Sequence, residues 1–149
     1  MTQTQHSARS LAYDKVANWS EAKLQAVCFQ YHWNKFPAER GLLHSNNNNS
    51  QNAIKGNLNK AIGTVPGVSD LEYVAEGFTC YIELKLPGQS QSPDQKVFEA
   101  LVTSRNHPYL IIRDPDSFEH LIADLQQGQR PTWKGQYDID AIEYQLPYH

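Results

Sequence analysis

Residues 67–86 read GVSDLEYVAEGFTCYIELKL, and the fold turns on this stretch. From Phe78 to Leu86 the chain alternates strictly. Phe78, Cys80, Ile82, Leu84 and Leu86 face one way; Thr79, Tyr81, Glu83 and Lys85 face the other. Such alternation predicts a strand with one buried face. A shorter strand, from about Asp70 to Val74, precedes it across the turn Ala75-Glu76-Gly77, so the two form a hairpin centred near residue 76. Counting back from the turn sets Asp70 opposite residue 82 or 83. Asp70 and Glu83 then meet at the open end of the hairpin, and Lys85 leaves the same face as Glu83.

Downstream, Pro87 to Gln91 form a loop, and Ser92-Pro93-Asp94-Gln95 opens a helix. Ser92 is the cap, Pro93 takes the first helical position and Gln95 completes a capping box. Val97, Phe98 and Leu101 are its expected apolar face. Tyr109 to Arg113 is a short buried strand stopped by Asp114-Pro115. A last helix is expected from Ser117, with Phe118, Leu121, Ile122 and Leu125 inward and Gly128 as its stop. Upstream, Ser20 caps a helix carrying Leu24, Val27, Cys28 and Tyr31, which Pro37 and Gly41 end. His44 to Ser50, with its four consecutive asparagines Asn46–Asn49, reads as a polar loop. Ile54, Leu58, Ala61 and Ile62 then give a weaker helical stripe interrupted by Gly56. This order predicts an α/β fold, a mixed β-sheet flanked by α-helices. The expected organisation is an N-terminal arm over 1–19, a folded domain over 20–127 and an aromatic, acidic extension over 128–149. That extension could fold on the domain, cross to a second subunit or stay loose.

The 149 residues, 40% hydrophobic and 19% charged, suit one domain and exclude collagen, coiled coil and wholesale disorder. There is no long apolar run and no apolar leader in MTQTQHSARS, so a cytoplasmic protein is expected. Cys28 and Cys80 stand far apart and fall on apolar faces, where they read as buried thiols. The net charge of −3 conceals a division: residues 34–60 carry +3, residues 85–113 carry +2 and residues 114–149 carry −5. A basic middle keeps a nucleic-acid partner open without demanding it.

Two adjacent carboxylates repel unless a cation joins them, and oxygen ligands suit Mg²⁺. A lysine beside them could orient or deprotonate a water and offset charge growing on a phosphate. That chemistry is phosphodiester hydrolysis. Taken alone, Asp70, Glu83 and Lys85 would equally suit the solvated face of an edge strand, with Glu83 and Lys85 in a loose ion pair.

The ordered set Gly67-Val68-Ser69-Asp70, Glu83-Leu84-Lys85 and Gln91-Ser92-Pro93-Asp94-Gln95 resembles the VRR-NUC family of the PD-(D/E)XK nuclease superfamily. The likeness extends to Phe36–Leu43 upstream and to Tyr109–Arg113 and Ser117–Glu119 downstream, covering about residues 20–127. It implies a restriction-endonuclease-like core and a Mg²⁺-dependent DNA endonuclease, with Mn²⁺ expected to substitute. Asp70 and Glu83 would be the side-chain metal ligands and the Leu84 carbonyl a backbone ligand, with Lys85 the catalytic lysine. Gln95 would be the active-site glutamine, and Glu21 matches an acidic residue that many superfamily members aim at the metal. Gln95 is also the capping partner of Ser92, and one side-chain conformation is not expected to fill both roles. Glu21 could equally favour the positive end of its helix. Stand-alone members of the family are dimers and several act on four-way junctions, so a homodimer cutting branched DNA is expected. Arg40, Lys55 and Lys60 are candidate phosphate contacts. Where many relatives read Pro-Asn-Gly-Gly, this chain has His44-Ser45-Asn46-Asn47-Asn48-Asn49. The alternatives are a flap or single-strand nuclease, a nonspecific nickase, and a non-catalytic nucleic-acid-binding module.

Overall fold

A computed structural model describes residues 11–46 and 53–142, without the side chains of 53–56 and 142. Residues 11–16 are helical (α1), and Val16 is buried. Then follow α2 (Glu21–Lys35), a 3₁₀ turn (Pro37–Glu39), β1 (Leu43–Ser45), α3 (Ala53–Ala61), β2 (Leu71–Ala75) and β3 (Phe78–Leu84). The chain continues through α4 (Pro93–Ser104), β4 (Tyr109–Ile112), α5 (Pro115–Gln126) and α6 (Ile139–Ile142). The sheet order is β1-β2-β3-β4, with β1 and β2 antiparallel, β2 and β3 antiparallel, and β3 and β4 parallel. Helix α4 supplies the crossover that parallel neighbours require.

The hairpin register pairs Leu71 with Ile82 and Ala75 with Phe78, so Asp70 lies next in line opposite Glu83, as the counting expects. One sheet face carries Leu71, Tyr73, Phe78, Cys80, Ile82, Leu84, Leu110 and Ile112, all buried. Leu24 and Cys28 of α2 cover it, together with Phe118, Leu121, Ile122 and Leu125 of α5. Each of these side chains contributes about 1.5–3 kcal/mol by leaving water, so this face holds the domain together. Both cysteines are buried thiols.

Several expectations change. β1 falls inside the stretch read as loop; a three-residue strand is too short to show alternation, and it exists because Leu43 pairs with Tyr73. Helix α5 begins at Pro115 with Asp114 as its cap, the Asp114 side chain accepting from Ser117 N–H. The Asp-Pro pair is therefore a helix start as well as a strand stop, the same device as Ser92-Pro93. On α4, Val97 and Leu101 are about 60% exposed and only Phe98 packs inward, edge-on to Tyr81 at 5.3 Å. On α3, Leu58 and Ile62 are exposed. The segment after α5 packs on the core: Tyr137 joins the apolar cluster, and Arg113 pairs with Asp138 at 2.7 Å in a buried ion pair.

Candidate active site

The polar face of the sheet ends where β2 stops. β3 runs on past its last partner, and there the Leu84 N–H has no strand to donate to. The Asp70 carboxylate takes it, Oδ2 accepting at 2.8 Å. A strand residue sends its N–H and C=O toward the same edge, so the Leu84 carbonyl leaves on the Asp70 side. Lys85 N–H points the other way, to the Ile112 carbonyl at 3.1 Å. A missing strand partner thus brings Asp70 and the Leu84 carbonyl together.

Glu83 and Lys85 lie beneath α4 and are only 1% and 8% exposed. The solvated-face reading is therefore wrong for both: the crossover helix covers the strand. Glu83 Oε1 accepts from Gln95 Nε2 at 3.1 Å and Oε2 from the Tyr109 hydroxyl at 3.1 Å. The Lys85 charge bears on Glu83, whose two oxygens are held by Gln95 and Tyr109.

Gln95 fills both of its roles at once. Its amide oxygen accepts from Ser92 N–H at 2.8 Å and closes the capping box, while its amide nitrogen reaches Glu83. The expected conflict fails because an amide has two ends and the first turn of α4 stands directly over Glu83.

Burial pushes the Glu83 carboxyl up to about 9, with the hydrogen-bonding and charge of Asp70 raising it further against the opposing Tyr109 hydroxyl and Lys85 charge. Burial and the Glu83 charge raise the Tyr109 phenol, which stays a donor. This has a consequence for stability. The folded protein holds the Glu83 proton more tightly than the unfolded chain does. Between about pH 4.5 and 9 unfolding therefore releases a proton, and stability falls as pH rises through that window. Glu83→Gln should remove this loss and stabilise the metal-free protein by about 2 kcal/mol at pH 8, with little gain at pH 5. Denaturant unfolding at the two pH values tests it; an equal change at both would exclude the linkage.

Two further residues hold Asp70, Asn46 from the stretch read as a polar loop and Gly67 from the Gly-Val-Ser-Asp motif. Asn46 donates its backbone N–H to the Asp70 carbonyl at 3.0 Å, and its amide to the Ser69 carbonyl and to Glu72. Gly67, at φ +84°, lies against the first turn of α4: a Cβ there would come within 2.3 Å of the Asp94 carbonyl oxygen. Tyr109, read only as an apolar strand residue, proves to be the second donor to Glu83.

The other candidates do not converge here. Glu21 sits in the first turn of α2, a position the helix dipole favours, and no contact joins it to Asp70 or Glu83. Among the described residues no three His, Cys, Asp or Glu side chains are grouped to hold a metal. Arg40 lays its guanidinium on the Trp33 ring at 4.7 Å and donates to the Trp33 carbonyl. Lys60 is exposed in the last turn of α3, and the Lys55 side chain lies outside the described residues, as do Asn47–Asn49. Two carboxylates and a backbone carbonyl are nonetheless the all-oxygen set Mg²⁺ takes, its remaining positions going to water or phosphate.

These elements define an α/β protein whose mixed four-stranded sheet ends in two carboxylates and a lysine. A solved structure described as a "VRR_NUC domain protein" matches it with a TM-score of 0.60, over 80% of this chain and 98% of that one, at 16% identity. The chain therefore has the fold of a VRR_NUC domain protein, as the sequence resemblance implies. No protein-family model matches the chain, and no curated protein does. No described helix is long and apolar enough to cross a membrane.

Proposed function

We infer that this chain is a Mg²⁺-dependent DNA endonuclease that hydrolyses phosphodiester bonds in branched DNA as a homodimer. The observation that carries the reading is the convergence of Asp70, Glu83 and the largely buried Lys85 at the end of the sheet. The VRR_NUC fold supports it.

Asp70, Glu83 and the Leu84 carbonyl would hold the metal. When bound, Mg²⁺ supplies positive charge to the scissile phosphate and acidity to a nearby water. The protein's own part is orientation. Leu84 N–H fixes one Asp70 oxygen, while Gln95 and Tyr109 fix both oxygens of Glu83. Lys85 hydrogen-bonds the attacking water and a phosphoryl oxygen, compensating the charge that builds as the new P–O bond forms and the opposite one breaks. One such site cuts one strand, so symmetric cleavage of a junction takes two copies.

The test is cleavage of labelled duplex, single-stranded, nicked, flap and four-way-junction DNA with Mg²⁺, Mn²⁺ or EDTA. Paired, symmetric cuts in the junction with either metal and none in EDTA are expected. Cutting confined to flaps or single strands would discard the junction role. DNA binding without cutting under any metal would make the chain a binding module and overturn the enzyme reading.

A further inference from the structure

The chain after α5 runs beside β4, where Ile111 N–H donates to the Lys134 carbonyl at 3.0 Å. Between this segment and the C-terminal half of α4 lies a groove of about 500 Å³, walled by Trp133, Tyr109, His107, Pro108, Arg130 and Lys134. Of its walls the cleavage mechanism uses only Tyr109, which holds Glu83.

Its walls are built rather than incidental. Trp133 is 44% exposed yet held in place: its six-membered ring lies on Gly135, where a Cβ would come within 2.2 Å. His107 Nδ1 accepts the Thr79 N–H at 3.1 Å, so the neutral ring carries its proton on Nε2 as a donor. Arg130 lies over the Phe78 ring at 4.4 Å and donates to the carbonyl of Asn106, a non-glycine residue at φ +66°. No carboxylate among the described residues neutralises it. The groove also reaches the catalytic carboxylate. Lys134 pairs with Glu99, which also lines the groove, at 3.3 Å and donates to Gln91 at 3.0 Å; Gln91 donates to the Tyr109 hydroxyl at 3.3 Å, and that hydroxyl to Glu83.

We propose that this groove binds one unpaired nucleotide of a DNA single strand next to the scissile bond. The base lies on Trp133, and its phosphate meets Arg130. The groove has the volume of a small-ligand site and no room for a duplex. A base face is available to an aromatic wall only when the base has left its stack. The proposal rests on the endonuclease reading and adds that a base at the branch leaves its stack when the DNA is bound.

The sequence has three tryptophans, so Trp19→Phe with Trp33→Phe leaves Trp133 as the sole indole. In EDTA, where no cutting occurs, a short oligothymidylate should quench its emission saturably, and a blunt duplex should not. Trp133→Ala should weaken oligothymidylate binding about tenfold, within the range for losing one stacked base, and Trp133→Phe should retain most of it. Duplex binding and melting temperature should be unchanged. Absent quenching, or equal weakening for single strand and duplex, overturns the groove assignment. So does an emission change that follows protein concentration without DNA, which would mean a second copy covers the groove. Quenching in a protein that never cuts would leave the groove standing and remove the nuclease reading; cutting without quenching does the reverse.

Discussion

Lys85→Ala should lower Mg²⁺-dependent cleavage by at least about 10³-fold, as expected for removing a group that orients the nucleophile and compensates phosphate charge. The fold should tolerate the change. Lys85 is 8% exposed, so alanine removes a largely desolvated ammonium together with its apolar stem. Those effects oppose one another, and the variant should unfold within about 1 kcal/mol of the parent. Mn²⁺ binding followed by electron paramagnetic resonance should persist, because the oxygen donors remain. Asp70→Ala makes the contrasting case. It removes one donor and orphans the Leu84 N–H that Asp70 caps, so metal binding should vanish along with activity. Wild-type cleavage by purified Lys85→Ala would sink the site assignment.

The second large effect lies away from the chemistry. Gly67→Ala should destabilise the protein by about 3 kcal/mol or more and cut activity by about 10²-fold. At φ +84° any Cβ is strained, and this one would come within 2.3 Å of the Asp94 carbonyl oxygen and 2.8 Å of Gln95 N. The loop must separate from α4. It carries Asp70 three residues on, and α4 carries Gln95, so the two halves of the site part together. Gly63 is the control. It also has a positive φ, but a Cβ there meets nothing within 4 Å, so Gly63→Ala should cost only about 1 kcal/mol and keep activity. Equal losses in the two variants, by thermal unfolding and initial rates, would show that the contact with α4 does not matter.

Much of the site was legible because strand geometry is short-ranged. Period-two alternation from Phe78 and a turn at Gly77 determine which residue faces which, and that alone sets Asp70 against Glu83. The Ser92-Pro93-Gln95 cap is equally local. What a three-residue strand or a half-buried helix does depends instead on partners distant in the chain. β1 needed Tyr73, and Asn46, at the start of an apparently featureless asparagine run, needed Ser69 and Asp70. Val97 and Leu101 match the helical period as well as any core residue, yet both are exposed while α4 turns Phe98 and Gln95 toward the sheet.

By itself, the sequence determined the order of the elements from β2 to α5, the hairpin register and the placing of Asp70, Glu83 and Lys85 on one face, since each follows from backbone periodicity and turn chemistry. Only the tertiary structure decided that this face is buried. It also decided that Gln95 and Tyr109 both hold Glu83, that Glu21 stays apart, and that the chain after residue 127 builds a groove beside β4. Burial and hydrogen-bond partnership belong to surfaces brought together across the chain, and periodicity along it carries no record of what lies opposite.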